Sequence, residues 1–151
     1  MGNLGAQPVV SFCNRPDVEV YEEKRGHEKI KIIRDGTITA LHLAPWGSNY
    51  TFLARIELDN EETIAVYKPK IGEAPLWDFP SGTLYKRECA AYILSNVLGW
   101  DFIPVTLIRN GPYGIGSMQA FVDHDPVHNY FTIRETDPDA LRMIACFDLV
   151  A

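Results

Sequence analysis

Apolar and polar positions alternate with a period of two through much of the first half of this 151-residue chain. In "TITALHLAPWGSNYTFLARIELDNEETIAVYKPK", Ile38, Leu41 and Leu43 mark one strand. Tyr50, Phe52, Ala54, Ile56 and Leu58 alternate through a second. Ile64, Val66 and Lys68 alternate through a third, so its inward apolar row ends on a lysine. "APWGSN" is a Pro/Gly/Ser/Asn loop between the first two strands. "DNEE" turns the second into the third, with Asp59-Asn60 supplying the turn chemistry. Upstream, "HEKIKIIRDG" suits either a strand or a short helix capped by Gly36, and the helix is preferred.

Past the third strand the period is lost. "PKIGEAPLWDFPSG" holds prolines at 69, 75 and 80 and reads as a connector, its two aromatic residues docking it. "TLYKRECAAYILSNVLG" then spaces Leu84, Ala91, Leu94, Val97 and Leu98 as a helix does. Gly99 stands where a left-handed C-terminal cap belongs. "FIPVTLIRNGPYGIGSMQAFVD" reads as a hairpin, with strands near 104–109 and 116–122. "HDPVHNYFTIRE" reads as loop. "TDPDALRMIACFDLVA" reads as a helix that Asp137 can cap, with Pro138 at its first position and Asp139 complementing its dipole.

Three strands, a helix, two strands and a helix define an α+β domain: a mostly antiparallel sheet of about five strands, one packed helix and a C-terminal helix. Residues 1–26, rich in Gly, Pro, Asn and charge without a period, read as a flexible tail, and 27–151 as the domain. The length supports one core but not two full lobes of a large enzyme.

Hydrophobic residues make up 46% of the chain and charged residues 23%, an ordinary globular balance. A net charge of -6 without a dense Lys/Arg stripe argues against nucleic acid as a partner. No apolar run is long enough to span a bilayer, and no secretory signal opens the chain. "MGNLGA" begins like a myristoylation site, but Ala6 stands where Ser or Thr is wanted. Three cysteines, Cys13, Cys89 and Cys146, form no C-x-x-C pair. Cys89 and Cys146 fall in helical patterns and read as small buried hydrophobes, a usage that fits the cytoplasm.

Lys68 has two readings: an edge lysine that snorkels to water, or a phosphate-binding lysine at the wall of a nucleotide cleft. Glu88 follows 20 residues later on the next helix. Kinases use such a strand lysine and helix glutamate to hold nucleotide phosphates. The "PWGSN" loop lies where a phosphate-covering loop would lie, with Ser48 and Asn49 as side-chain donors; it is also an ordinary hairpin turn. "GPYGIG" joins two strands instead of opening a helix, so it lacks a dinucleotide context. Asp123, His124, Asp125 and His128 allow a mixed metal site, though such crowding on a Pro-containing loop more often makes a solvated turn. His42 reads as structural, and Trp46, Trp77 and Trp100 as anchors of loops to the core.

The "YKP" strand end, the "PLWDFPSGTL" connector and the "LGW…GPYGIGSMQ" hairpin resemble an uncharacterised bacterial phosphatidylinositol 3-/4-kinase-like family, over roughly residues 27 to 151. "KPK" is also similar to the corresponding stretch of type II phosphatidylinositol 4-kinases. The resemblance implies a protein-kinase-like small lobe that binds ATP with Mg, and a phosphoryl acceptor it does not specify. Lys68 would be the phosphate lysine and Glu88 its partner. Ser48 and Asn49 would belong to the covering loop, and Gln119, Ala120 and Phe121 to the hinge. Family members continue into an N-N-x-D-R-K catalytic loop, which this sequence does not reach. On this basis the chain is expected to be an N-terminal lobe, lacking its C-terminal lobe and inactive alone. The competing expectation is a non-catalytic, pseudokinase-like binding module.

Overall fold

The computed structural model describes residues 27–44, 49–125, 127 and 129–150. The tail assigned to residues 1–26 lies outside them. Residues 27–35 are helical (α1), as preferred from the sequence. β1 (Thr37–Leu43), β2 (Phe52–Leu58) and β3 (Glu61–Pro69) follow as an antiparallel meander. Asp59 and Asn60 turn β2 into β3 with φ of 52° and 69°. Both are left-handed, the requirement of a two-residue hairpin turn that matches strand twist. Ile38 and Leu41 both reach the core although three residues apart, because a bulge between Ile38 and Ala40 shifts the phase.

A short 3₁₀ turn (Lys70–Gly72) opens the connector, and α2 spans Leu84–Val97. Gly99 follows it at φ 66°, as expected of a C-terminal stop. β4 (Thr106–Gly111) and β5 (Gly114–Ala120) form the second hairpin, tighter than its sequence suggests. β5 inserts beside β3, giving the order β1-β2-β3-β5-β4, antiparallel throughout.

The core lies on one face of this sheet. Ile32 and Ile33 of α1 pack there on Ala54, Ile56, Ala65, Tyr67, Met118 and Ala120. In β3 the inward row is therefore Ala65 and Tyr67, not Ile64, Val66 and Lys68. Both rows read as apolar in the sequence, and the docked helix decides between them. Arg109 of β4 reaches across to α1, donating through Nη1 to the Ile33 carbonyl at 2.5 Å and through Nη2 to the Gly36 carbonyl at 3.0 Å. The Ile33 carbonyl lies in the last turn of α1 with no partner within the helix, the Gly36 carbonyl directly follows that turn, and the guanidinium also meets the negative end of the helix dipole.

α2 covers part of the opposite face, against β4 and β5. Past it, Trp100 and Phe102 stack at 5.9 Å, and both meet the edge of Phe147. Phe147 belongs to α4 (Pro138–Asp148), which Asp137 caps by accepting from the Ala140 N–H. The segment 124–135, read as loop, holds all but the last residue of α3 (Tyr130–Thr136). Its signal is a reciprocal cap: Asn129 accepts from the helix's first turn, and the Thr132 hydroxyl accepts from the Asn129 N–H.

Two further expectations are corrected. Cys146 is exposed, because α4 is anchored through Phe147 and turns its neighbours to solvent. Trp77 does not dock the connector; it is 97% exposed. Phe79 does the docking, under the Arg87 guanidinium at 3.8 Å. His42 is exposed on edge strand β1. No helix among the described residues is long and apolar enough to cross a membrane.

A helix-held lysine beside an apolar cleft

Side chains alternate along a strand, so Lys68 points away from the face that buries Tyr67 and toward α2. Its ammonium meets Glu88 there, Nζ to Oε1, at 2.6 Å. The lysine side chain is 34% exposed and the glutamate 31%, so the pair stands at the surface of the cleft. Ser117, the register partner of Lys68 on β5, donates its hydroxyl to the other oxygen of Glu88, Oε2, at 2.5 Å. Ser117 is fully buried. Nothing in the sequence marked it; finding it requires the β3–β5 register, which sets Ser117 opposite Lys68.

The glycines of "GPYGIG" serve this neighbourhood through packing. A Cβ on Gly116 would lie 2.3 Å from the Lys68 carbonyl oxygen, so only glycine lets β5 lie this close to β3. A Cβ on Gly111 would strike the Tyr67 ring. That ring is buried and its hydroxyl donates to the Gly114 carbonyl at 2.5 Å, and burial raises the phenol's pKa.

On the same sheet face, toward β1, Ala44, Thr51, Leu53, Val66, Phe121 and His124 line a cleft of about 410 Å³. Val66 precedes Lys68 by two residues on one face of β3, so the Lys68 backbone lies one strand repeat, about 7 Å, along from the apolar wall. Of the three strand-exit residues singled out in the sequence, Phe121 lines this cleft. Ala120 turns to the opposite, buried face. The Gln119 amide donates to Thr106 Oγ1 at 2.9 Å. The N–H groups of Ala120 and Phe121 are committed to the Val105 and Ile64 carbonyls. His124, weighed in the sequence as a metal ligand, stands at the cleft wall instead.

Ser48 lies outside the described residues. Asn49 is described, and its Oδ1 accepts from the Ala74 N–H at 2.7 Å. Beside it the Tyr50 N–H donates to the Gly72 carbonyl. The loop end is thereby tied to the connector. One residue on, Glu73 Oε1 accepts from the Tyr85 N–H in the first turn of α2 at 2.7 Å. Thr83, which would cap α2, donates instead to the Pro80 carbonyl. A continuous set of bonds thus runs from the β1–β2 loop through the connector to the helix that carries Glu88. Asp125 closes a small turn onto the Val127 N–H. His128 lies outside the described residues, and among those described no three His, Cys, Asp or Glu side chains gather to hold a metal ion.

Fold and site together define an α+β domain that presents a carboxylate-held lysine beside an apolar cleft. A relative, Protein Rv2133c of Mycobacterium tuberculosis (strain ATCC 25618 / H37Rv), is 46% identical to it over 103 residues. The match takes in 64% of this chain and 37% of that protein, so the chain spans little more than a third of its relative. No family model matches the chain, and no solved structure matches it.

Proposed function

We propose that this chain is the nucleotide-binding lobe of an ATP-dependent phosphotransferase of the phosphatidylinositol 3-/4-kinase-like kind. The observation that carries the reading is the 2.6 Å bond from Lys68, on β3 one strand repeat from the apolar cleft, to Glu88 on α2. In kinases a strand lysine paired with a helix glutamate reaches the nucleotide phosphates. The sheet order and the helix between β3 and β4 agree with the small lobe that the sequence resemblance implies. The cleft volume falls within the roughly 300–1,000 Å³ of small-molecule sites.

In this reading the base lies between Val66, Leu53 and Phe121, and Lys68 neutralises phosphate charge. Hinge hydrogen bonds come from the chain beyond Phe121, because the Ala120 and Phe121 N–H groups are already used. Mg²⁺ accompanying ATP would supply charge that shields the phosphates. The ligands for that ion and the groups that orient the acceptor belong to the remainder of a longer protein. The acceptor is a lipid, a protein or a small molecule.

The test is titration of the protein with ATP, by calorimetry, for wild type and Lys68→Ala. Lys68→Ala is expected to weaken binding at least tenfold. Its stability cost is below about 1 kcal/mol, since the pair is one-third exposed and screened by solvent. Equal ATP affinity in the two proteins removes the assignment. A second reading, a non-catalytic binding module, is favoured by one observation: Phe131 is 71% exposed and Leu149 86%. It predicts partner binding without ATP turnover in the whole protein.

A further inference from the structure

We infer that Ser117 is a positioning residue: it sets the orientation of the Glu88 carboxylate and, through it, the place of the Lys68 ammonium. The consequence for nucleotide affinity rests on the function proposed above; the positioning itself does not.

A glutamate reaching from a helix has three side-chain torsions, and its terminal one is broad and soft. Glu88 is partly solvated, so a bond to a flexible lysine alone would leave the carboxylate free to turn toward water. The second bond removes that freedom. Lys68 holds Oε1 and Ser117 holds Oε2, from adjacent strands at paired register positions. The two donors differ in rigidity. The Ser117 side chain is short, fully buried and fixed on an interior strand, whereas the Lys68 stem is a long four-carbon chain with more rotatable bonds. The serine therefore acts as the anchor and the lysine as the group that is placed.

Chemistry supports the division. A buried hydroxyl must find an acceptor, and the acceptor in this structure is Glu88. Being neutral, the hydroxyl orients the carboxylate without competing for its charge, which stays available to Lys68. The residue before it contributes too: Gly116 lets β5 approach β3 closely enough for the two donors to converge on one carboxylate.

The experiment is trace acetylation of Lys68 with acetic anhydride, without nucleotide, read by peptide mass spectrometry. The proteins are wild type, Ser117→Ala, Ser117→Thr, Glu88→Gln and the Ser117→Ala/Glu88→Gln double variant. Acetylation needs the lysine nitrogen to give up a proton and leave its hydrogen bond, with acetate as the leaving group, so a side chain held on a fixed carboxylate labels slowly. Ser117→Ala is expected to raise Lys68 labelling roughly fivefold, toward the Glu88→Gln level, because a charged-group hydrogen bond is lost. In the Glu88→Gln background the same change should add nothing, since the residue through which it acts is already altered. Ser117→Thr keeps the hydroxyl and should label like wild type. A purely packing role predicts equal effects in both backgrounds, and that result overturns the inference, as does labelling of Ser117→Ala equal to wild type. Should Ser117→Ala not fold, Ser117→Cys, of similar size but a weak donor, is scored by the same criteria. ATP titration of the same proteins separates the two claims. If wild type binds no ATP, the nucleotide reading fails while the labelling result still decides the role of Ser117.

Discussion

Glu73 is the residue whose removal most directly tests how α2 is held. It lies outside the helix, in the connector, yet its Oε1 accepts from the Tyr85 N–H at 2.7 Å. α2 has no cap from its own Thr83 side chain. Losing a cap costs about 1 kcal/mol in typical helices, and a hydrogen bond to a charged group is worth about 1.5–3 kcal/mol. These figures describe one interaction and are not added. A counter-term pulls the value down: Glu73 Oε2 is shielded from solvent with no partner among the described residues, which costs part of the gain. Glu73→Ala should therefore destabilise by about 1.5 kcal/mol, a fall of about 5 °C in Tm for a domain of this size. Glu73→Gln keeps an acceptor oxygen and loses only the charge near the positive helix end, about 0.5 kcal/mol. Urea unfolding would read both changes as shifts in midpoint at constant slope. Hydrogen exchange should show Tyr85, Lys86 and Arg87 losing protection first. If Glu73→Ala costs no more than the roughly 0.5 kcal/mol of an ordinary surface substitution, the connector does not hold the helix and the reasoning fails.

Two more outcomes are expected. Arg109→Met should destabilise by about 2 kcal/mol in urea unfolding, since two charged-donor bonds to α1 are lost. Arg109→Lys should recover less than half of that, because an ammonium cannot fork to both carbonyls; full recovery would refute the forked geometry. In a Cys13→Ser protein at about pH 8, iodoacetamide should modify Cys146 at least about tenfold faster than Cys89. Cys146 is exposed, whereas burial raises the Cys89 thiol pKa. A raised pKa means less thiolate at a given pH, so the Cys89 rate should climb only well above the ordinary thiol range; equal rates by peptide mapping would contradict its burial.

The sheet was legible in the sequence because its information is local. Alternation in 50–58 and the Asp59-Asn60 turn fix a hairpin without reference to anything distant. The 20-residue spacing of Lys68 and Glu88 was legible as a strand end and a helix start, and the structure brings the two side chains together. What could not be read depends on partners far along the chain. Which row of β3 faces the core is decided by α1, and the place of Ser117 by a register set 49 residues after its partner strand residue. Trp77 and Cys146 were misplaced because apolar character reports a tendency to be covered, not whether anything lies there to cover it. α3 escaped notice because its cap, Asn129 with Thr132, sits among residues that otherwise read as loop.

The reach of Arg109 to the end of α1 spans 76 residues, and it bears on how the chain is made. α1 leaves the ribosome ahead of the sheet, and its docking surface is finished only when Met118 and Ala120 have followed. At roughly 5–20 residues per second, the β1–β3 meander can offer Ala54, Ile56, Ala65 and Tyr67 to Ile32 and Ile33 several seconds before β5 completes the face. That interval leaves the newborn helix on a half-built face, within reach of a chaperone or protease.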